Sequence, residues 1–191
     1  VSRIVCDSEL VAKKVSDFLG IIQPRLQKRV SYYDGKIPLF HKYKVEDEIK
    51  SINSKRVELK SGGSIIIEQT EALVAIDVNS GKYRKHENAE QTALKINVEA
   101  AREIARQLKI RDMGGLIICD FIDMRDSKNR REVEKAFRNA LGDDKARSRI
   151  LRISAFGIIE MTRQRVRPSL QLSTYLKCPY CLGSGMVKSP E

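Results

Sequence analysis

The apolar positions of this chain follow two rhythms. Leu10, Val11, Val15, Phe18 and Leu19 recur every three or four residues, which predicts an amphipathic helix over residues 8–20, stopped by Gly20, with Pro24 soon after. Tyr32, Tyr33 and Phe40 then surround an Asp34-Gly35 turn, and residues 45–54 predict a short helix. A β-rich block follows in three runs, residues 55–59, 64–68 and 73–78, broken by Ser61-Gly62-Gly63. A long helix is predicted from Asn88, where Asn88 and Gln91 form a capping pair, through Leu94, Val98, Ala101, Ala105 and Leu108. Gly114-Gly115 ends it. The run from Leu116 to Ile122, apolar but for Asp120, reads as a strand buried on both faces. A second helix carries Val133, Ala136, Phe137, Ala140 and Leu141 on one face and stops at Gly142. Residues 150–153 predict another strand, and the basic stretch from there to Arg167 is expected to open with a short helix. Strands interleaved with helices, without repeats, define an α/β class.

Composition narrows the partner. At 191 residues and 41% hydrophobic content the chain can bury one substantial core with a smaller appendage. Its formal charge of +11 and pI near 9.6 suit a polyanion, nucleic acid first, with a basic surface kept for solubility as the alternative. No run approaches the roughly 20 apolar residues of a membrane helix, and residues 1–7 form no signal core, so a cytosolic setting is expected. The chain begins with Val, as a processed chain or a piece of a longer protein would. Four cysteines make no disulfide framework.

The candidate chemistry sits at two strand ends. Leu73 to Asn79 is apolar and then sets Asp77 and Asn79 two apart, hence on one face, before Gly81. Leu116 to Asp120 repeats the design. Ligand sites in open α/β sheets lie beyond the carboxyl ends of the strands, so Asp77 and Asp120 converge if these strands are neighbours. Two carboxylates held together repel unless a cation lies between them, and an all-oxygen site suits Mg²⁺. Such an ion activates water for attack on phosphorus, and Asn79, neutral and able to donate, suits the scissile phosphate. Asp123, three residues past Asp120, falls on the opposite face of an extended strand and ranks below it. The alternative for each acid is an ordinary turn residue or helix cap.

Cys178-Pro179-Tyr180-Cys181, followed by Gly183 and Gly185, has the spacing of half a tetrahedral metal site. Two such knuckles from two chains supply four thiolates around one zinc. A redox pair, or a half-site completed by residues outside the chain, are the alternatives. Cys6 and Cys119 stand alone, and His41 and His86 lack ligand spacing. Lys82, Arg84 and Lys85 after the first acid motif, and Arg163, Arg165 and Arg167 before Pro168, are candidates to line a phosphate path; a solvated basic face is the alternative for any one of them. With 6% aromatics and no Trp, base stacking would be sparse.

At these same residues the chain resembles the RNase E/G family, in the blocks at residues 71–80, 105–108, 114–124 and 160–165, with the likeness running from about Tyr33 and residues 35–40 to Val187. The resemblance implies Mg²⁺ on Asp77 and Asp120 with Asn79 toward the phosphate. It implies part of an RNase H-like domain in residues 1–52, a DNase I-like sheet flanked by helices in residues 53–176, a zinc link in residues 177–187 and a tail in residues 188–191. It further implies cleavage of single-stranded, A/U-rich RNA, in mRNA decay and in processing of rRNA and tRNA precursors, to 5′-phosphate and 3′-hydroxyl ends. Arg147 matches an arginine of the family's 5′-monophosphate pocket. Zinc shared through Cys178 and Cys181 would give a homodimer or a dimer of dimers, in a bacterial cytoplasm or plastid stroma. The family's OB-fold domain, most of its 5′ sensor and a small dimerisation domain have no counterpart in these residues, so weak cleavage by the fragment alone is expected. A non-catalytic RNA-binding or scaffold module and a DNA-cutting nuclease are the rival readings.

Overall fold

The computed structural model describes residues 1–81, 89–165, 178–181 and 185. The chain divides into two compact units, Val1–Ser51 and Ile52–Glu191.

In the first unit, β1 (Ile4–Cys6) and β2 (Val30–Tyr32) pair in parallel around the crossover helix α1 (Glu9–Ile22). Three short helices, α2 (Pro24–Gln27), α3 (Leu39–Lys42) and α4 (Val45–Ile52), complete it. Ser8 caps α1 by accepting the Val11 N–H. The helix runs through Gly20, against expectation, and ends at Gln23, whose backbone leaves the helical region (φ −148°, ψ 75°) as a residue before proline must. Glycine inside a helix costs stability but does not stop it; Pro24 does. Leu10, Phe18, Ile21 and Ile22 are exposed.

The second unit holds a six-stranded sheet in the order β3-β4-β5-β6-β8-β7. Its strands are β3 (Arg56–Glu58), β4 (Ser64–Gln69), β5 (Leu73–Asn79), β6 (Gly115–Asp120), β7 (Ser148–Ile150) and β8 (Ile158–Arg163). Only β5 and β6 are parallel neighbours, joined over α5 (Ala89–Ile110); α6 (Ser127–Ala140) links β6 to β7. Asp126 caps α6 on the Lys128 N–H. The expected cap Asn88 lies outside the described residues.

Ile65, Ile67, Val74, Ile76, Val78, Ile117, Cys119, Ile159 and Met161 share one face of this sheet. They pack there against Ile96, Ala100, Ile104 and Leu108 of α5 and Val133 and Phe137 of α6. Strand alternation turns the neighbours outward, so Leu116 is 42% exposed and β6 is not buried on both faces as its apolar run predicted. A continuous apolar run does not reveal how many layers cover a strand.

The segment expected to open with a helix is instead β8. Its Ile-Ile-Glu-Met-Thr-Arg sequence alternates strictly, with Ile159, Met161 and Arg163 inward. Gly157 starts it at a φ of +81°, where a Cβ would sit 3.0 Å from the Phe121 carbonyl oxygen, so only glycine fits the turn. A groove of about 1020 Å³, lined by Val57, Leu59, Leu94, Val98 and Glu99, runs between β3 and α5 on the helix side of the sheet.

Candidate active site

Asp77 and Asp120 occupy the carboxyl ends of β5 and β6, and the register sets them directly opposite each other. Adjacent strands lie about 4.8 Å apart and paired residues point to the same side, so both carboxylates rise from one face of the sheet. Both are exposed, on the face opposite α5 and α6. The Asn79 Nδ2 donates to Asp77 Oδ2 at 2.8 Å, which ties one carboxylate oxygen to the amide on the same face of the sheet. Across β4, Ile66 pairs with Asp77 and Ser64 with Asn79. Ser64 is fully buried and its hydroxyl has no hydrogen-bond partner.

Asp123 is exposed within electrostatic reach of Asp120. The expectation that it points away assumed a strand continuing past Asp120, but β6 stops there. Phe121 and Met124 turn into the core, at 2% and 3% exposure, and leave Asp123 on the surface. Partial desolvation, then the charge of Asp77, then that of Asp123, push the Asp120 carboxyl above its ordinary value. The end of β6 is therefore a place where like charge accumulates around Asp120.

Among the described residues no three His, Cys, Asp or Glu side chains converge into a metal shell. A closed transition-metal site is not what these acids form. Mg²⁺ is a better match, since it takes one or two carboxylates and completes its octahedron with water and phosphate oxygens.

The loop after Asp120 is tied down by side chains. Glu90 accepts from the backbone N–H groups of Arg125 and Asp126 and from Asn129 Nδ2, contacts that hold its carboxyl below its usual range, the Asn129 bond foremost. Arg130 donates to the carbonyls of Met124 and Arg125.

The basic candidates separate. Lys82, Arg84, Lys85 and Arg167 lie outside the described residues. Arg163 is 5% exposed and directed inward, with Nε and Nη2 on Asp144 at 2.7 and 3.0 Å and Nη1 on the Met113 carbonyl at 2.6 Å and on Asp112 at 3.3 Å. It cannot meet a phosphate, because the alternation of β8 sends it to the core face. Arg165 and Arg147 are exposed; Arg165 Nε donates to the Gly114 carbonyl. Both stand near the Gly115 end of β6, five residues and so about 17 Å from the Asp120 end. The basic cluster and the acids therefore lie at opposite ends of the sheet, and Arg163 and Arg165 do not flank the carboxylates as their sequence motif allowed.

Cys178 and Cys181 bracket a turn and no disulfide joins them. Cys119 is buried, which pushes its thiol up to about 12 and leaves it unreactive. No helix among the described residues is long and apolar enough to cross a membrane.

A family model described as the Ribonuclease E/G family matches residues 1–166. The chain is 46% identical over 191 residues to a protein named Ribonuclease E from Haemophilus influenzae, covering all of this chain and 20% of that protein. It is 40% identical over its full length to Ribonuclease G of Escherichia coli K12, covering 39% of that protein. A chloroplastic ribonuclease E/G-like protein of Arabidopsis thaliana is 42% identical over 193 residues, with 19% of its length covered. The chain thus spans between about a fifth and two fifths of these relatives. With a family model over most of its length and these identities across all of it, the chain belongs to the ribonuclease E/G family.

Proposed function

We propose that this chain carries the catalytic centre of a Mg²⁺-dependent endoribonuclease that cuts single-stranded RNA to leave 5′-phosphate and 3′-hydroxyl ends. The observation that carries the reading is the register of Asp77 and Asp120, two carboxylates side by side at the only parallel strand pair of the sheet. The names of its relatives supply the substrate class. Asp77 and Asp120 would hold the ion, and the Asp77 carboxylate is already oriented by Asn79. An ion held by these two carboxylates would supply activation of a water and would offset charge on the phosphoryl oxygens. Asn79 holds the scissile phosphate through its remaining N–H without adding a charge to an already acidic spot. On this reading the sheet and its two helices are DNase I-like, and the exposed apolar side chains of the first unit are covered by further parts of an RNase H-like domain.

Arg147, exposed and well removed from the acids, is in keeping with a role at the RNA 5′ end rather than at the cut. A/U-rich mRNA and rRNA and tRNA precursors in a bacterial cytoplasm or plastid stroma are the substrates and setting that follow. The test pairs a 5′-monophosphorylated single-stranded RNA with DNA of the same sequence, each with and without Mg²⁺. RNA should be cut only with the ion and DNA left intact. Equal cutting of DNA would move the chain to a general nuclease, and metal-independent cleavage would end the proposal.

Cys178 and Cys181 are proposed to bind one zinc jointly with the same pair of a second chain, giving a homodimer that can pair again. Zinc content should be about 0.5 per chain, and chelation or Cys178→Ser should drop the molar mass to that of one chain. A full zinc per monomeric chain would refute the shared site.

A further inference from the structure

We propose that Asn97, in the middle of α5, is a positioning residue that sets the divalent-cation affinity of the carboxylate site; the inference rests on the cation-site reading above. Asn97 is fully buried on a helix face otherwise built from Ala93, Ile96, Ala100, Ala101 and Ile104. Asparagine is a poor helix former and a costly core residue unless its amide is satisfied. Here both ends of the amide are used on one residue: Nδ2 donates to the Ile122 carbonyl at 2.8 Å, and Oδ1 accepts the Ile122 N–H at 3.0 Å.

Ile122 lies between Asp120 and Asp123, just past the last ladder position of β6. No strand continues there to fix the backbone, and the amide of Asn97 takes the place of one. With Phe121 and Met124 anchored in the core on either side, this pairing determines how Asp123 stands relative to Asp120 and Asp77. Glu90, seven residues and so about two turns earlier on the same side of α5, ties the far end of the same loop through Arg125 and Asp126. A cation site needs its charged groups held in place before the ion arrives, and partners behind the ligands commonly govern affinity by tenfold or more.

The test measures Mn²⁺ binding by water-proton relaxation, and amide hydrogen exchange of the metal-free chain. In Asn97→Ala the Ile122 amide should lose protection while Ile76 and Cys119 keep theirs, and Mn²⁺ affinity should fall about tenfold. Retained protection at Ile122, or unchanged Mn²⁺ affinity, overturns the inference. If Asn97→Ala does not fold, Glu90→Ala, at a more accessible position, decides: affinity reduced about threefold supports the tethered loop, and unchanged affinity overturns it. Asp77→Asn serves as the reference. Mn²⁺ binding that is absent from the unsubstituted chain, or indifferent to Asp77→Asn, defeats the cation-site reading and this inference with it. A response to Asp77→Asn without one to Asn97→Ala defeats this inference alone.

Discussion

Asp77→Asn is expected to lower the rate of Mg²⁺-dependent RNA cleavage by about a thousandfold while leaving the chain folded and slightly more resistant to heat in a chelator. Charge stabilisation by a metal at a phosphoryl centre contributes several kcal/mol, and each 1.4 kcal/mol is tenfold in rate. Removing one of the two carboxylates that would hold the ion forfeits most of that. The substitution keeps the shape of the side chain and an oxygen to accept the Asn79 amide, so the local hydrogen bond survives. It also removes one of the like charges that crowd Asp120. Without metal the folded state is relieved of a repulsion, which is why the melting temperature should rise as activity disappears. Initial rates at saturating Mg²⁺ and a melt with chelator separate the two effects. Cleavage within threefold of the unsubstituted chain would remove Asp77 from the site.

Arg163→Met should destabilise the second unit by about 3 kcal/mol or more, the usual consequence of removing one member of a buried ion pair. Asp144 would keep only the Ala146 N–H in place of the guanidinium, and the Met113 carbonyl would lose its arginine donor. In a unit of this size the melting temperature falls on the order of 10 °C. Arg163→Lys should recover only part of the loss, since an ammonium cannot reproduce the two-pronged contact with Asp144. Arg165→Ala, at an exposed position, should change stability by no more than about 0.5 kcal/mol. Burial alone would raise the Asp144 carboxyl, but the bond and charge of Arg163 overcome this and hold it below its ordinary value. A depressed folded-state value stabilises the fold above the unfolded value near 4, and that contribution is lost as pH falls through the folded value. Urea denaturation at pH 7 and at successively lower pH below 4 should therefore show the gap between the parent and Arg163→Met narrowing with acid. A constant gap would mean the arginine acts through packing alone.

Local pattern carried most of the second unit. The stripe on residues 89–110 and the turn at Gly62-Gly63 were readable because helical and strand periods need only neighbours along the chain. Glycine commonly ends helices, yet α1 passes Gly20 and Pro24 imposes the end. In residues 158–163 the basic neighbourhood masks the two-residue alternation beneath it. Asn97 gave no signal, since a lone polar residue on an apolar stripe looks like a defect until its partner, 25 residues away, is known.

The acids show the division most clearly. Amino-acid order alone made Asp77 and Asp120 the ends of apolar runs, marked Cys178 and Cys181 as a ligand pair, and carried the blocks of family likeness. It had no means to tell that β5 and β6 are neighbours in register, that β6 stops at Asp120 before Asp123, or that Arg163 faces the core. Those facts depend on which strands hydrogen-bond and where a strand stops pairing, and both are set by contacts between residues distant in the chain, which no local periodicity encodes.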